Sequence, residues 1–388
     1  TSPPISLNNL VMQLPISFRT ATSIGLLAAC SIAISPDAMA AYLHQPSAVV
    51  NSQAPASNSQ PQADKLLLSG NKKFEQKDYA GAIADFSKSI QLAPNFQKAF
   101  YNRGIARDLV GDGRNAIEDY SQVIKLNPRN YSAYFNRSVA KEKIGDRQGA
   151  LSDLDRVIEI RPKYINAYLN RGNIRGELGD PKGSISDFSK AIKLKPQEAD
   201  AYLNRGLARY QLADRQGAMA DYEMAIKVNP NYHLAYNNRA WMKLDAGDNR
   251  GAIADYTRSI ELDANYYLSY YSRANVYRRI GNYQQAISDY DRTIKLKPNY
   301  ALAYNNRSLA HKQLKNFQAA IDDCSQAIQL SPDFAEAYYN RAAARQALND
   351  RSGAINDFKV AAKLYKQQGN KENSDDALKL VWQVQHQK

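Results

Sequence analysis

The sequence has few of the residues that build small chemical sites. It contains 2 cysteines, Cys30 and Cys324, and 4 histidines among 388 residues. The cysteines predict neither a disulfide framework nor a metal site, and the histidines show no ligand spacing. Paired carboxylates, a nucleophile motif and a phosphate-binding loop are also missing from the sequence pattern. We therefore expect no catalytic residue, no metal and no cofactor, which favours a protein that is not an enzyme.

Long apolar runs are also missing, apart from one stretch near the start of the chain. This stretch, residues 24–34, is too short to cross a membrane as a helix. A basic residue, Arg19, precedes it, and a proline and small residues follow it up to Ala40. This arrangement is typical of a signal peptide. We predict that residues 1–40, or the part from Met12 onward, form a signal peptide cut after Ala40, and that the chain is exported to a periplasm, to a lumen or out of the cell.

A second interpretation of this stretch stays open. Leu27–Cys30 resembles the lipobox of bacterial lipoproteins, which would anchor the chain through a lipid on Cys30. Residues 31–34 remain apolar, whereas a lipoprotein usually turns polar after its cysteine, so this alternative ranks second.

The following segment, residues 41–62, is rich in proline, serine, glutamine and alanine. It has no Asp, Glu, Lys or Arg and few large apolar residues. Such a segment buries too little apolar surface to offset the entropy of ordering. We therefore predict a disordered linker.

Blocks of like charge are absent as well. The net charge is +13, and because residues 1–62 contribute none of it, the whole excess lies in residues 63–388. A basic surface favours an acidic partner, an anionic membrane face or nucleic acid. No cluster of cations marks out a groove, however, and the more ordinary interpretation is that the charge keeps a long protein soluble.

From residue 63 onward the chain repeats every 34 residues without an insertion. A period of this length is typical of a solenoid of helix pairs. A proline near the end of most repeats sets the register, and we count it as repeat position 32; Ala264 replaces it in the sixth repeat. The nine predicted repeats are 63–96, 97–130, 131–164, 165–198, 199–232, 233–266, 267–300, 301–334 and 335–368.

Four further repeat positions indicate how the two helices of a repeat would pack. Positions 8 and 20 carry small residues, such as Gly104 and Ala116, which let the helices approach closely. Positions 4 and 24 are aromatic in most repeats, as in Phe100 and Tyr120, and fill the space beside that contact. A glycine–aspartate pair near positions 15 and 16 ends the first helix, and the proline ends the second. One repeat cannot bury both of its faces, so neighbouring repeats must stack.

This combination resembles the tetratricopeptide-repeat (TPR) family, and the resemblance covers residues 63–368. It implies an all-α fold, an α-solenoid in the form of a right-handed superhelix of nine helix-turn-helix repeats. The Tyr-x-Asn-Arg sequences also resemble multi-repeat TPR proteins of cyanobacteria. Residues 369–388 resemble the capping helix of such arrays, starting near residues 373–376. We expect it to seal the ninth repeat with an apolar face formed by Leu378, Val381, Trp382 and Val384.

Two charged rows run through the repeats. Position 7, usually leucine in the TPR family, is arginine in repeats two to nine, and position 23 is aspartate in all nine. Because a guanidinium can bind a carboxylate through two parallel hydrogen bonds, we predict a structural ion-pair ladder within or between repeats. The alternative is that the arginines bind acidic groups of a ligand. The predicted ladder comprises Arg103, Arg137, Arg171, Arg205, Arg239, Arg273, Arg307, Arg341, Asp119, Asp153, Asp187, Asp221, Asp255, Asp289, Asp323 and Asp357.

A row of asparagines forms the second candidate site. Position 6, which points into the concave groove in the TPR family, is asparagine in seven repeats. An amide both donates and accepts hydrogen bonds, so such a row can bind the backbone of an extended peptide. Exposed side chains at positions 2, 5 and 9 would set specificity, with Trp241 as the main anchor. The predicted peptide-binding residues are Asn102, Asn136, Asn170, Asn204, Asn237, Asn238, Trp241, Asn275, Asn305, Asn306 and Asn340.

The resemblance implies a protein-interaction scaffold. We expect it to hold an extended peptide or a client protein in the concave groove and to serve in complex assembly. The carboxylate clamp of chaperone-binding TPR proteins needs lysine at position 5 of one repeat, and lysine at position 2 with arginine at position 6 two repeats later. Repeats two to nine have no lysine at position 5 and no arginine at position 6. The alternative function is binding of the basic surface to an acidic partner, to a membrane face as a peripheral protein, or to nucleic acid, which is the least favoured.

Overall fold

The computed structural model describes residues 59–386, and over this range it contains nineteen α-helices and no β-strand. The helices are α1 Gln60–Glu75, α2 Tyr79–Leu92, α3 Gln97–Leu109, α4 Gly113–Leu126, α5 Tyr131–Lys143, α6 Arg147–Ile160, α7 Ile165–Glu177, α8 Pro181–Leu194, α9 Ala199–Gln211, α10 Arg215–Val228, α11 His233–Asp245, α12 Asn249–Leu262, α13 Tyr267–Arg279, α14 Tyr283–Leu296, α15 Ala301–Gln313, α16 Phe317–Leu330, α17 Ala335–Ala347, α18 Arg351–Gln367 and α19 Lys371–His386. The predicted all-α fold is confirmed. The predicted signal peptide and the linker up to residue 58 lie outside the described residues.

The helices alternate as the first and second helix of successive repeats. Each first helix from α3 to α17 begins at the residue where the 34-residue period starts a repeat, as Gln97 and Tyr131 show. In repeats two to eight the first helix has 13 residues and the second has 14. None of the described helices has the length and apolar character that a membrane span requires.

The described chain forms two compact units that divide between Ala218 and Met219, within α10. The first unit contains α1 to α9 and the start of α10, and its helices pack mainly against their neighbours in the chain. The second unit contains the rest of α10 and α11 to α19, and its helices pack in the same sequential way. The stability of each unit is therefore close to a sum of contributions from single repeats and from the contacts between neighbouring repeats.

The core of each repeat is a contact between a small residue on the first helix and a large side chain on the second. A Cβ placed on Gly104 would lie 2.8 Å from the Tyr120 ring, and one placed on Gly172 would lie 2.9 Å from the Phe188 ring. Both rings are 1% exposed. Full burial of a large apolar side chain contributes about 1.5–3 kcal/mol. A small residue at position 8 is therefore the condition for burying the ring at position 24.

Two local interactions form the turn inside a repeat. Glycine at position 15 ends the first helix in the left-handed conformation, and Gly145 has a φ of 86°. The next residue, Asp146, caps the second helix by accepting a hydrogen bond from the Gly149 N–H at 2.9 Å. A Cβ on Gly149 would lie 2.1 Å from the Asp146 carboxylate, which explains glycine at position 19. The sequence predicts this turn, but the capping role of the aspartate is seen only in the structure.

The proline at position 32 is not what ends the second helix. In the sixth repeat, Ala264 takes its place, yet α12 still ends at Leu262. The following residue, Asp263, adopts an extended conformation and accepts a turn hydrogen bond from the Tyr266 N–H at 3.2 Å. The ninth repeat has Lys366 at position 32, and there α18 continues for 17 residues. The turn that leads into the next repeat therefore ends the helix, and the proline only suits that turn.

Both ends of the described chain differ from the prediction. Residues 60–62, assigned to the linker, are the first turn of α1. The helix α19 begins at Lys371, because Asn370 caps it by accepting a hydrogen bond from the Asn373 N–H at 3.1 Å. Leu378 and Trp382, expected to seal the ninth repeat, are 50% and 61% exposed. The residues of α19 that pack inward follow a helical spacing that leaves those two side chains outside: Ala377, Val381 and Val384.

Lys315 offers a test of the strain at position 15. Its φ is 61°, a conformation that costs a residue with a side chain about 1–2 kcal/mol. We expect Lys315→Gly to raise the free energy of unfolding, measured by urea denaturation of the full chain, by about 0.5–1 kcal/mol, because glycine adopts this conformation freely. The matched control is Lys359→Gly at an exposed site inside α18, which should lower the same free energy by about 1 kcal/mol. A decrease in both variants would contradict the assignment of strain to Lys315.

Candidate functional site

The two charged rows meet inside the repeats. In the seventh repeat, Arg273 Nε and Nη2 each lie 2.8 Å from an oxygen of Asp289, so the guanidinium binds the carboxylate at two points. The same two-point contact, between positions 7 and 23 of one repeat, forms in the pairs Arg103–Asp119, Arg137–Asp153, Arg171–Asp187, Arg239–Asp255, Arg307–Asp323 and Arg341–Asp357. In the fifth repeat, the boundary between the two units lies between Arg205 and Asp221.

The remaining nitrogen of the guanidinium reaches the preceding repeat. Arg103 Nη1 donates to Ser87 Oγ at 3.0 Å, and Arg273 Nη1 donates to Thr257 Oγ1 at 2.8 Å. Each arginine from Arg103 to Arg341 also lies 5.5–5.9 Å from the centre of the aromatic ring at position 4 of its own repeat. Other arginines of the row make the same contact with position 25 of the preceding repeat, at Ser121, Asp155, Ser189, Asp291 and Ser325. The arginine therefore joins both helices of its own repeat to the second helix of the repeat before it.

The first repeat shows the same aspartate without the arginine. Ser69 donates to Asp85 Oδ2 at 2.6 Å, and Lys73 Nζ lies 2.7 Å from the same oxygen. Burial alone would raise the pKa of Asp85, but these two partners bring the pKa below its usual value. Asp85 is thus stabilised as a carboxylate, and no earlier repeat in the described chain requires the contact that an arginine would add.

A second cation, at position 11, binds the same aspartates. Lys243 Nζ lies 2.8 Å from Asp255, and the matching contacts in other repeats come from Lys73, Arg107, Lys141, Arg175 and Arg345. The seventh repeat has Tyr277 at this position, so Asp289 has Arg273 as its cationic partner. In the eighth repeat His311 takes the position, 3.9 Å from Asp323, and burial lowers the pKa of His311 although Asp323 opposes this. These cations serve the ladder and are not free to bind a ligand.

The predicted asparagine row lies largely between the repeats. Asn102 donates to Asn71 Oδ1 at 2.8 Å, and Asn136 donates to the Tyr101 hydroxyl at 2.9 Å, in each case across to the preceding repeat. Five residues of the row are only 5–7% exposed: Asn102, Asn136, Asn170, Asn204 and Asn238. The amides of Asn102 and Asn136 therefore hold neighbouring repeats together, and all five side chains present little surface to a peptide backbone.

The asparagines of repeats seven to nine form a connected network. Asn306 donates to the Tyr271 hydroxyl at 2.9 Å and to Asn275 Oδ1 at 3.0 Å. Asn340 donates to Asn305 Oδ1 at 2.9 Å. Asn275, Asn306 and Asn340 remain half-buried, whereas Asn305 is 5% exposed. The structure therefore brings these predicted residues together and leaves three of them accessible.

The expectation that position 5 exposes apolar and aromatic groups is wrong. Phe135 is 4% exposed, and its ring centre lies 5.2 Å from that of Tyr164, at the entry to the next repeat. Tyr271 is 5% exposed and Asn237 is 7% exposed. Stacking covers this position, because it faces the repeat that follows. Position 9 is different: Trp241 is half-buried there, as are its equivalents Asn275, Leu309 and Ala343.

Sequence reasoning missed repeat position 12. Residues 2, 5, 9 and 12 of a repeat lie three or four apart and therefore share one face of the first helix. Position 12 is acidic at Asp108 and Glu142 in the first unit, and basic at Arg278 and Lys312 in the second. Extending the helical spacing by one further step would have revealed this change of charge.

Comparison with known families agrees with the repeat pattern. Two tetratricopeptide-repeat models match residues 101–165 and 301–334, a TPR-repeat model matches 173–212, and a model of the ETO1 C-terminal domain matches 196–315. This chain is a tetratricopeptide-repeat protein. The predicted family is confirmed, while the resemblance to cyanobacterial proteins stays a prediction. No curated protein matches the chain.

Solved structures share the fold of this TPR protein. A tetratricopeptide-repeat protein from Parabacteroides merdae is 16% identical with a TM-score of 0.53, and the match covers 64% of this chain and 99% of that one. The Cut9–Hcn1 structure, an APC/C hetero-tetramer, is 15% identical with a TM-score of 0.51, covering 85% of this chain and 78% of that one. MamA is 27% identical with a TM-score of 0.41, covering 42% and 94%. The first two matches confirm the α-solenoid fold class.

The number of cations on each aspartate predicts how much a missing arginine costs. Arg273→Leu leaves Asp289 buried without a cationic partner, and we expect it to lower the free energy of unfolding of this TPR protein by about 3–5 kcal/mol. Arg103→Leu should cost clearly less, because Arg107 Nη1 stays 2.7 Å from Asp119. Urea denaturation of both full-length variants, followed by circular dichroism, gives the comparison. Equal losses in the two variants would show that the second cation does not compensate.

Proposed function

We propose that this TPR protein is a non-enzymatic scaffold that holds an extended segment of a client protein on the first helices of its repeats. TPR solenoids are interaction scaffolds, since stacked repeats form long continuous binding surfaces. The observation that supports this function is the first-helix stripe of the second unit. The stripe consists of Leu268, Leu302, Trp241, Asn275, Leu309, Arg278 and Lys312, which all stay partly exposed.

The composition of this stripe suits a peptide. Leu302 and Leu309 offer apolar contact area, and the half-buried indole of Trp241 is the kind of side chain that anchors interfaces. Between them, the half-buried amide of Asn275 offers N–H groups for a peptide backbone. Positions 5 and 6 then keep the repeats rigid, while positions 2, 9 and 12 contact the client. A role in complex assembly is the biological setting that we propose for such a scaffold.

Binding through the basic surface is the second candidate function. It rests on the net charge of +13. Many of the cations in the described chain are already bound to the aspartate ladder, as Arg107 is to Asp119, so the free positive charge is smaller than the composition indicates. A steep fall of affinity with salt would favour this alternative, whether the partner is an acidic protein, a peripheral membrane surface or nucleic acid.

We also propose that the protein is exported. Mass spectrometry of the mature protein from its native host should give a chain that begins at Ala41, as expected for a cut after Ala40. A lipid-modified chain that begins at Cys30 would instead establish the lipoprotein alternative. A chain that retains residues 12–40 would contradict export through this segment.

The two tryptophans of the chain allow a matched test of the binding surface. Short peptides selected from a display library against the full-length protein should bind through the first-helix stripe. We expect Trp241→Ala to weaken their binding at least about tenfold in fluorescence anisotropy titrations, because the indole is the largest side chain of the stripe. Trp382→Ala removes an equally large side chain that is 61% exposed on α19, and it should leave the affinity unchanged. Equal losses, or a library that yields no binding peptide, would contradict the proposed function.

A further inference from the structure

Two cations of the first-helix stripe face no carboxylate. Arg278 on α13 and Lys312 on α15 occupy position 12 in neighbouring repeats of the second unit, and both are half-buried. Neither forms an ion pair with any residue of the described chain. The arginines at position 7 of these two repeats, Arg273 and Arg307, are bound to aspartates. Among the half-buried arginines and lysines of these two helices, those at position 12 are therefore the ones without a carboxylate partner.

One pair of repeats in the first unit shows how a charge at position 12 can be neutralised. There, Lys143 at position 13 places its Nζ 2.8 Å from Asp108 at position 12 of the preceding repeat. In the same register, position 13 of the next repeat is Gln313 for Arg278 and Ala347 for Lys312. Neither a glutamine nor an alanine can neutralise a cation. The contact that pairs position 12 in the first unit is thus missing in repeats seven to nine.

The surroundings of Arg278 are polar but not acidic. Burial raises the pKa of both Tyr271, to about 12, and Tyr290, and the nearby charge of Arg278 opposes this rise at each hydroxyl. The hydroxyl of Tyr290 donates to Asn275 Oδ1 at 2.5 Å, which commits that proton to the network. The Arg278 Nε is buried and has no hydrogen-bond partner. A buried donor on a charged group without a partner is costly, and a bound acceptor would remove that cost.

Burial also disfavours the charged form of Lys312. Burial lowers the pKa of Lys312, and its one opposing influence is the thiol of Cys324. That thiol is buried, with its pKa raised to about 12 by burial, so it is neutral near pH 7 and offers no counter-charge. An anion placed beside Lys312 would restore the favourable electrostatics of an ammonium group.

We propose that Arg278 and Lys312 form a carboxylate-binding subsite on the first helices of repeats seven and eight. The ligand group is the carboxylate of an aspartate or glutamate side chain, or of the C-terminus, in the client segment. This subsite rests on the proposed function and adds to it the chemical class of the client. It differs from the carboxylate clamp of chaperone-binding TPR proteins, which uses positions 2, 5 and 6 of the repeats.

The subsite predicts a charge requirement in the peptide. Peptides selected against the full-length protein should be enriched in aspartate or glutamate, or should need a free C-terminus. Converting each acidic side chain to its amide identifies a side-chain source, and amidating the terminus identifies a terminal one. We expect the decisive peptide change to weaken binding about tenfold or more, as expected for the loss of charge-assisted hydrogen bonds.

The matching protein variant is Arg278→Gln combined with Lys312→Gln. It should weaken binding of the acidic peptide by a similar factor, and the amidated or amide-substituted peptide should lose nothing further on this variant. Lys359→Gln combined with Lys363→Gln is the control, because it removes the same charge from exposed sites on α18 and should leave the affinity unchanged. Circular dichroism of each variant confirms that the helices are retained.

The outcomes separate the subsite from the function on which it rests. Peptides that depend on Trp241 but bind the Arg278→Gln and Lys312→Gln variant with unchanged affinity would support the scaffold and overturn the subsite. Equal losses in the variant and its charge-matched control would show a general effect of net charge, which also overturns the subsite. A library that yields no binding peptide would contradict both proposals.

Discussion

The guanidinium at position 7 is the interaction on which the rest of the structure depends. It binds an aspartate sixteen residues later, on the second helix of its own repeat, and a hydroxyl or carboxylate sixteen residues earlier, on the second helix of the preceding one. It also lies against the aromatic ring three residues before it. Because one rigid planar group contacts three helices, an insertion on either side would separate it from a partner. This constraint gives a physical reason for a 34-residue period without insertions.

The stacking that this contact fixes also decides which side chains are left for binding. Once neighbouring repeats are held at a set spacing, positions 5 and 6 are covered, as the burial of Phe135 and Asn136 shows. The amide of Asn136 then donates to the hydroxyl of Tyr101 in the preceding repeat. Positions 2, 9 and 12 remain partly exposed in most repeats and differ between repeats, from Trp241 to Asn275 to Leu309 at position 9. The regular positions therefore build the scaffold, and the irregular ones carry specificity.

The same division explains what the sequence could predict. A period of 34 residues and its small, aromatic and turn residues define the helices, so the family and the first-helix starts follow from the sequence. Solvent exposure on a helix face does not follow, because it depends on how close the next repeat lies. The sequence therefore predicts exposure at position 5, which the next repeat covers, and burial of Trp382 on α19, which is exposed. The asparagines presented the same difficulty, since an amide suits a buried contact and a peptide equally well.

The charge at position 12 shows how a regular array can bind selectively. A charge at position 12 is neutralised when position 13 of the next repeat carries the opposite charge, as Lys143 does for Asp108. In the first unit, Glu142 faces Glu177 instead, and both burial and that like charge raise the pKa of Glu142. An acidic segment would be repelled by Glu142 and attracted by Arg278 and Lys312. Because the two units carry opposite unpaired charge at one repeat position, a segment suited to the second unit is not suited to the first, although the repeats that build the two units are nearly the same.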